Sequence, residues 1–154
     1  MTFSRIATLA AAACFGLVPA ATFAQDTPAP AEGASAASLM FQLNNAQTVE
    51  GSCQLTFVIR NDTAVDIQKS SYNMVIVDAE GRVSTLITFE FRPVNVGQTK
   101  VQQFALSGQP CETISAISIN DYVECTAGDG TASDVCEDAM AQSSRTSIQF
   151  PWQL

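Results

Sequence analysis

Between residues 52 and 91 the chain repeats short apolar-rich segments that are separated by turn-forming residues. The clearest of them, residues 54–60, places Leu55, Phe57 and Ile59 at every second position. Successive side chains of a β-strand point to opposite faces, so this period predicts a strand with one buried face. A chain built from such segments is constrained to an all-β fold.

The same reasoning predicts seven strands, at residues 39–43, 54–60, 71–77, 82–91, 99–106, 114–123 and 146–152. Turn chemistry separates them: Asn61-Asp62-Thr63 ends the second strand, and the acidic, glycine-ended run of residues 78–81 forms a hairpin. Pro151 places the last strand near an edge, because proline cannot donate to a ladder. A short helix is predicted at residues 134–141, with Asp134 as its cap.

Seven short strands with turn residues between them predict an antiparallel, immunoglobulin-like β-sandwich. A small closed β-barrel is the alternative.

The first 24 residues have the composition of a secretory signal peptide. Arg5 supplies the positive start, residues 6–18 are apolar or small, and residues 22–24 (Thr-Phe-Ala) offer a cleavage site before Gln25. The apolar run is too short to span a bilayer as a helix. Periplasmic or secreted localisation is therefore expected, with a lipoprotein anchored through Cys14 as the alternative.

Residues 25–38 consist mostly of Ala, Pro, Ser, Gly and Thr and contain no large apolar side chain. Such a segment cannot bury enough surface to fold, so a flexible linker is predicted. Residues 39–154 then form the β-sandwich domain, a usual size for one core.

The chain is acidic. Cleavage would remove one basic residue, Arg5, and no acidic one, so the net charge of −8 would become −9. An acidic surface repels phosphate backbones and anionic lipid headgroups, and nucleic acid is therefore not an expected partner. No integral membrane segment is expected after cleavage.

Four cysteines remain after the predicted cleavage, and an even number in an exported chain predicts a disulfide framework. Of the three possible pairings we favour Cys53 with Cys111 as a long-range link and Cys125 with Cys136 as a local loop closure, and a functional thiol is the alternative. No pair has C-x-x-C spacing and the chain has no histidine, so neither a thiol oxidoreductase nor a zinc site is expected.

Three segments together resemble a known family. Residues 58–63 (VIRNDT), 75–83 (VIVDAEGRV) and 96–104 (VGQTKVQQF) occur in the order seen in FxLYD-type domains, which are bacterial extracytoplasmic immunoglobulin-like sandwiches. The resemblance covers residues 55–106, and the whole chain is also similar to uncharacterised exported proteins of alphaproteobacteria. The chain departs from the pattern in its four cysteines, in Val96 where a proline is common, and in its acidic segment after Cys125. The resemblance implies a sandwich fold and no catalytic residues.

Clustered carboxylates after the fifth strand raise the question of calcium, which prefers such oxygen ligands. They are Asp121, Glu124, Asp129, Asp134, Glu137 and Asp138. The calcium-loop pattern of alternating acidic residues is absent, so a solvated acidic loop is the favoured interpretation and no cofactor is predicted.

Candidate catalytic groups are few. Asp78 and Glu80 flank a hairpin tip, where water keeps both ionised and unsuited to acid–base work. A Ser-His-Asp triad is impossible without histidine, and a Ser-Lys dyad would need Lys69, which adjoins Ser70 in a predicted exposed turn, or Lys100. No catalytic residue is predicted.

Phe150 and Trp152 are large aromatics in the last predicted strand. They either pack onto the inner face of the sandwich or form an interaction site for a partner. Asn61-Asp62-Thr63 also matches the glycosylation tripeptide, which is uninformative beside a bacterial export signal.

The sequence therefore predicts a non-catalytic binding or interaction module, with an envelope protein or another macromolecule as its possible partner. One alternative is an assembly subunit that is completed by strand donation, and another is a hydrolytic enzyme.

Overall fold

The computed structural model describes residues 37–154. The predicted signal peptide, Cys14 and residues 25–36 of the predicted linker lie outside the described residues. The described strands are β1 (Leu39–Val49), β2 (Ser52–Asn61), β3 (Ile67–Asp78), β4 (Val83–Phe91), β5 (Thr99–Leu106), β6 (Ile114–Ala127) and β7 (Met140–Ser144). A 3₁₀ turn spans Cys111–Thr113, and the described part has one α-helix, α1 (Val135–Asp138).

The strands form two sheets. The first has four strands in the order β5-β2-β1-β7, and the second has three in the order β4-β3-β6. The predicted all-β sandwich is confirmed, and the described strands do not close into a barrel. One pairing departs from the antiparallel expectation, because β1 and β7 run parallel.

β1 is longer than predicted because Asn44 and Asn45 do not end it. The register with β2 shifts between Leu43 and Asn45, so these residues form a β-bulge and the strand continues. The hairpin then turns at Glu50 and Gly51, both with positive φ (50° and 75°), as a two-residue hairpin turn requires.

The core lies between the two sheets and is aromatic at its centre. Phe57 is buried and has edge-to-face contacts with four other rings, those of Phe89, Phe91, Phe104 and Phe150. Tyr72 is fully buried, and its hydroxyl donates to the carbonyl of Cys136 at 3.0 Å. This bond ties the centre of the second sheet to the loop that contains α1.

Two disulfides link the strands to the connecting segments. Cys53 on β2 is bonded to Cys111 in the 3₁₀ turn, and Cys125 on β6 is bonded to Cys136 in α1. These are the two pairs that the sequence favoured.

The prediction of a seventh strand at residues 146–152 is wrong in position. β7 lies at Met140–Ser144, inside and beyond the predicted helix at residues 134–141, of which only Val135–Asp138 is helical. Residues 148–152 nevertheless run beside β6, because Ile117 and Ile119 donate their backbone N–H groups to Gln149 and Pro151. The alternation seen in the sequence is therefore real, although it forms isolated bridges and not a full strand.

Candidate functional site

The outer edge of β4 presents unpaired backbone groups. On this side the side-chain amide of Gln102 donates to the carbonyl of Glu90 at 2.7 Å, which shows that the peptide groups of Glu90 point away from β3. In an antiparallel pair such groups alternate between the two sides of a strand. The N–H and C=O groups of Leu86 and Thr88 therefore also point outward, and they have no hydrogen-bond partner among the described residues.

The same stretch exposes large apolar side chains. Val83 and Leu86 are 62% and 63% exposed. Residues 83–88 (VSTLIT) contain no charge and no proline, which are the features that usually prevent edge strands from pairing with other chains. One feature does protect residues 83–88 from pairing with another chain. It is a register irregularity opposite Ile76 and Val77, at the start of the strand.

The exposed apolar side chains of this edge lie next to a buried apolar cluster on the outer face of the second sheet. Leu86 pairs with Val75 on β3, and Val83 pairs with Val77. Val75, Val77 and Ala116 form a second apolar cluster, separate from the core between the sheets. We call the edge from Val83 to Thr88, together with this cluster, the β4 edge site.

Two glutamines limit the β4 edge site at its ends. Gln102 accepts from the backbone N–H of Arg92 at 2.9 Å as well as donating to Glu90. At the other end, the amide of Gln109 donates to the hydroxyl of Ser84 at 2.7 Å. Beneath the edge, the stacked rings of Phe89 and Phe104, 4.2 Å apart, close the core. The open backbone thus lies between the Gln102 bridge and Ser84, whose hydroxyl also donates to the carbonyl of Ile76 on β3.

The first half of β6, at the opposite side of the second sheet, is covered by backbone pairing. Residues 148–152 bond to it as a parallel neighbour, which leaves β4 as the edge of that sheet with an exposed apolar run.

An open polar cleft of 570 Å³ lies between β1 and residues 145–148. Its lining is rich in amides and hydroxyls and includes Glu112 and Arg145. The hydroxyl of Thr48 donates to Glu112 at 2.7 Å and thereby lowers the pKa of that carboxyl. A general acid needs a raised pKa, so Glu112 is suited to holding a negative charge.

Asp78 and Glu80 lie at the β3–β4 hairpin, where the structure uses Asp78 to hold the turn. Its carboxylate accepts from the backbone N–H groups of Arg82 (2.8 Å) and Glu80 (3.0 Å) and pairs with the Arg82 guanidinium. The backbone hydrogen bond from Arg82 is the main reason that the pKa of Asp78 lies below its usual value. This geometry stabilises a hairpin and provides no acid–base pair.

Lys69 and Ser70 lie inside β3 and not in a turn, which corrects the sequence-based placement. The Lys69 ammonium is 2.9 Å from Glu124 and 3.5 Å from Glu90. Its hydrogen bond to Glu124 raises the pKa of Lys69 and lowers that of Glu124. A raised lysine pKa is the opposite of what a catalytic base needs.

The acidic carboxylates do not converge on one point. Glu124 faces Lys69, and Asp129 accepts from the backbone and hydroxyl of Thr131, the hydroxyl bond being the main cause of its lowered pKa. Within residues 37–154 the structure contains no group of three potential metal ligands.

Phe150 is 6% exposed and packs against Phe57 with ring centroids 5.3 Å apart. It therefore packs in the core, which is the first of the two roles considered from the sequence. Trp152 is half-buried and packs against the same core.

Sequence reasoning did not single out the β4 edge site. It predicted the strand itself, but whether a strand lies at an edge depends on which segments pair with it, and local patterns do not contain that information. The available signal was the absence of charge and proline from residues 83–88.

The fold and its cross-links define a class: an all-β, two-sheet sandwich with two disulfides, the chemistry of a protein that folds in an oxidising compartment outside the cytoplasm. None of the helices in the described part of the chain is long and apolar enough to cross a membrane.

No protein-family model matches the sequence, and no curated protein matches it. A solved structure, that of IrmA from Escherichia coli, resembles the fold with a TM-score of 0.51 and 10% sequence identity. The likeness covers 69% of this chain and 91% of the IrmA chain. At this identity it shows a shared fold alone.

Proposed function

We propose that this protein is an exported periplasmic module that binds a partner polypeptide at the β4 edge site and has no catalytic role. The observation that carries the proposal is the unpaired backbone of Leu86 and Thr88 next to the exposed side chains of Val83 and Leu86. Open edges of this kind bind extended segments by adding a strand to the sheet, with backbone hydrogen bonds giving affinity.

The export part of the proposal is supported by two features. The first is the signal-like composition of residues 1–24. The second is the pair of disulfides, which persist only in oxidising surroundings. An envelope protein is the class of partner that such a location would supply. The resemblance to FxLYD-type domains stays a prediction.

The absence of a catalytic role is supported by the state of the ionisable groups. The carboxyls with shifted pKa values, among them Asp78 and Glu112, have them lowered by hydrogen bonds, and each lies at the surface. Acid–base catalysis at neutral pH uses carboxyls whose pKa is raised by burial. Among residues 37–154 no carboxyl with a raised pKa supports the hydrolytic-enzyme alternative.

The assembly-subunit alternative uses the same edge, with a second copy of the chain as the partner. A binding module would have another polypeptide against Leu86, whereas an assembly subunit would have a second copy of this chain there. The experiment is designed to distinguish these two partners.

A photo-crosslinking residue at position 86 tests the proposal, with the same residue at position 101 as the control. Leu86 and Val101 are both 63% exposed and lie on edge strands of different sheets. We expect the position 86 variant, expressed with its signal in a bacterial host and irradiated in cells, to form an adduct with one distinct envelope polypeptide. The position 101 variant should not form it.

Adducts of equal yield at both positions, or none at position 86, would contradict the proposal. An adduct with a second copy of the chain would replace it with the assembly-subunit alternative.

A further inference from the structure

We infer that Gln102 at one end and the register irregularity at the other set the length of the segment that the β4 edge site accepts. We also infer that this segment is a short extended peptide of about five residues with apolar side chains at alternate positions. This inference rests on the proposed function and adds the chemical class of the ligand.

Gln102 occupies the place of a strand residue. A primary amide carries the same donor and acceptor as a peptide group, and Gln102 uses both, donating to Glu90 at 2.7 Å and accepting from Arg92 at 2.9 Å. An incoming strand would need those same two backbone groups. Gln102 therefore ends the pairing at the Glu90 side.

At the other end, Gln109 contacts a side chain and no backbone group of β4. Its amide donates to the hydroxyl of Ser84 at 2.7 Å, and that hydroxyl donates to the carbonyl of Ile76 on β3 at 3.2 Å. Regular pairing ends here because the register between β3 and β4 shifts opposite Ile76 and Val77. The backbone left between this irregularity and the Gln102 bridge is that of Leu86 and Thr88. A strand that exchanges hydrogen bonds with two outward-facing residues lies opposite about five residues of the edge.

The surface beside this opening determines which side chains fit. On the outer face the new strand would lie next to the exposed side chain of Leu86, which pairs with the buried Val75. Every second side chain of the ligand would lie on that face, where an apolar side chain would cover Leu86. The acidic net charge of the chain favours ligands with basic residues outside the paired segment.

The occupant is therefore an extended segment of another polypeptide, apolar at alternate positions and basic at its flanks. A suitable probe is the blocked peptide Lys-Val-Thr-Val-Thr-Val-Lys, and a longer probe has two further Val-Thr repeats between the lysines. A central proline in the short probe removes a backbone donor and supplies a negative control.

The test compares the two probes on the wild-type protein and on Gln102→Ala by titration calorimetry. The wild type should bind both probes within about twofold of each other. Gln102→Ala should bind the long probe about tenfold more tightly than the short one, because two further backbone groups become available for hydrogen bonds.

The matched control is Gln103→Ala. Gln103 is the next residue of β5, and its amide donates to Thr56 within the first sheet and does not reach β4. It should keep the wild-type ratio. In Gln102→Ala, faster hydrogen exchange at the Arg92 amide would verify that the bridge has been removed from a folded domain.

The outcomes separate the two proposals. If both probes bind but Gln102→Ala keeps the wild-type length ratio, the inference about length is wrong and the β4 edge site stands. If neither probe binds to any variant at millimolar concentration, strand addition at β4 is wrong as well. Concentration-dependent self-association that competes with the probes would identify a second copy as the occupant and overturn the inferred ligand class.

Discussion

Asn61 shows how much one residue of this chain does. It is fully buried, and its amide donates to the carbonyls of Val65 (2.8 Å) and Val94 (3.0 Å) while its oxygen accepts from Thr63. The sequence predicted a turn here from the tendency of Asn and Asp side chains to bond to nearby backbone. The bond to Val94, 33 positions away, could not be predicted, because it depends on the packing of a distant loop. Burial also removes Asn61 from reach as a glycosylation acceptor.

The hairpin carboxylate of Asp78 gives a prediction about pH. Its pKa in the folded protein lies below the unfolded value of 3.8, so its hydrogen bonds stabilise the fold fully at neutral pH, and this contribution is lost as the pH falls through the lowered pKa. Asp78→Asn should therefore lower the melting temperature at pH 7 and have a diminishing effect below about pH 3.8. Thermal unfolding by circular dichroism between pH 3 and pH 7 measures this difference.

Asp134→Asn is the control, because the Asp134 carboxylate has no hydrogen bond to the described residues. A melting-temperature difference for Asp78→Asn that grows toward low pH would contradict the assignment.

How well the sequence predicts a single strand depends on whether the strand is determined by its local pattern or by pairing with a distant segment. β5 was predicted with its observed bounds because its alternation and the turns on either side are local. β7, with the sequence MAQSS, has no alternation and becomes a strand only because β1 lies beside it. The parallel pairing of β1 with β7 and the bulge in β1 are likewise set by tertiary packing, which overrides local preference.

The segment at residues 148–152 gives the second prediction. Phe150→Ala should lower the free energy of unfolding by about 4 kcal/mol, since it opens a cavity in the aromatic core. Trp152→Ala should cost less than half as much, because that side chain is only half-buried. Urea denaturation should be followed by circular dichroism and not by tryptophan fluorescence, because Trp152 is the single tryptophan and the Trp152→Ala variant lacks it. Equal losses would show that Phe150 does not have the burial described.

For the whole molecule, the sequence predicted the all-β class and the two-sheet arrangement. Repeated strands with alternating apolar side chains, separated by turns, can bury their apolar faces in few other folds. It did not predict the β4 edge site. That site follows from the order of strands within the second sheet, and Val83 and Leu86 have the same side chains whether they lie at an edge or at a centre. The proposed binding surface consists of backbone groups without a neighbouring strand, and such groups have no sequence motif.

The disulfides give a prediction at this scale. In the chain-entropy model, a link stabilises more when it closes a longer loop, and the two links here span 58 and 11 positions. Replacing both Cys53 and Cys111 by alanine should therefore cost about 4 kcal/mol, against about 3 kcal/mol for the Cys125 and Cys136 pair. Urea denaturation of the two double variants measures the order, and a larger loss for the shorter loop would contradict it.

The parallel pairing of β1 with β7 has a consequence for how the protein acquires its shape. Gln42 and Ser143 meet across 101 positions of sequence, so the first strand has no partner on that side until nearly the whole domain is present. Contacts between such distant positions slow folding, since a long loop must close before they form. If the protein is exported as proposed, a chain that stays open for this long would remain suited to threading through an export channel, and it would reach its final form after the transit.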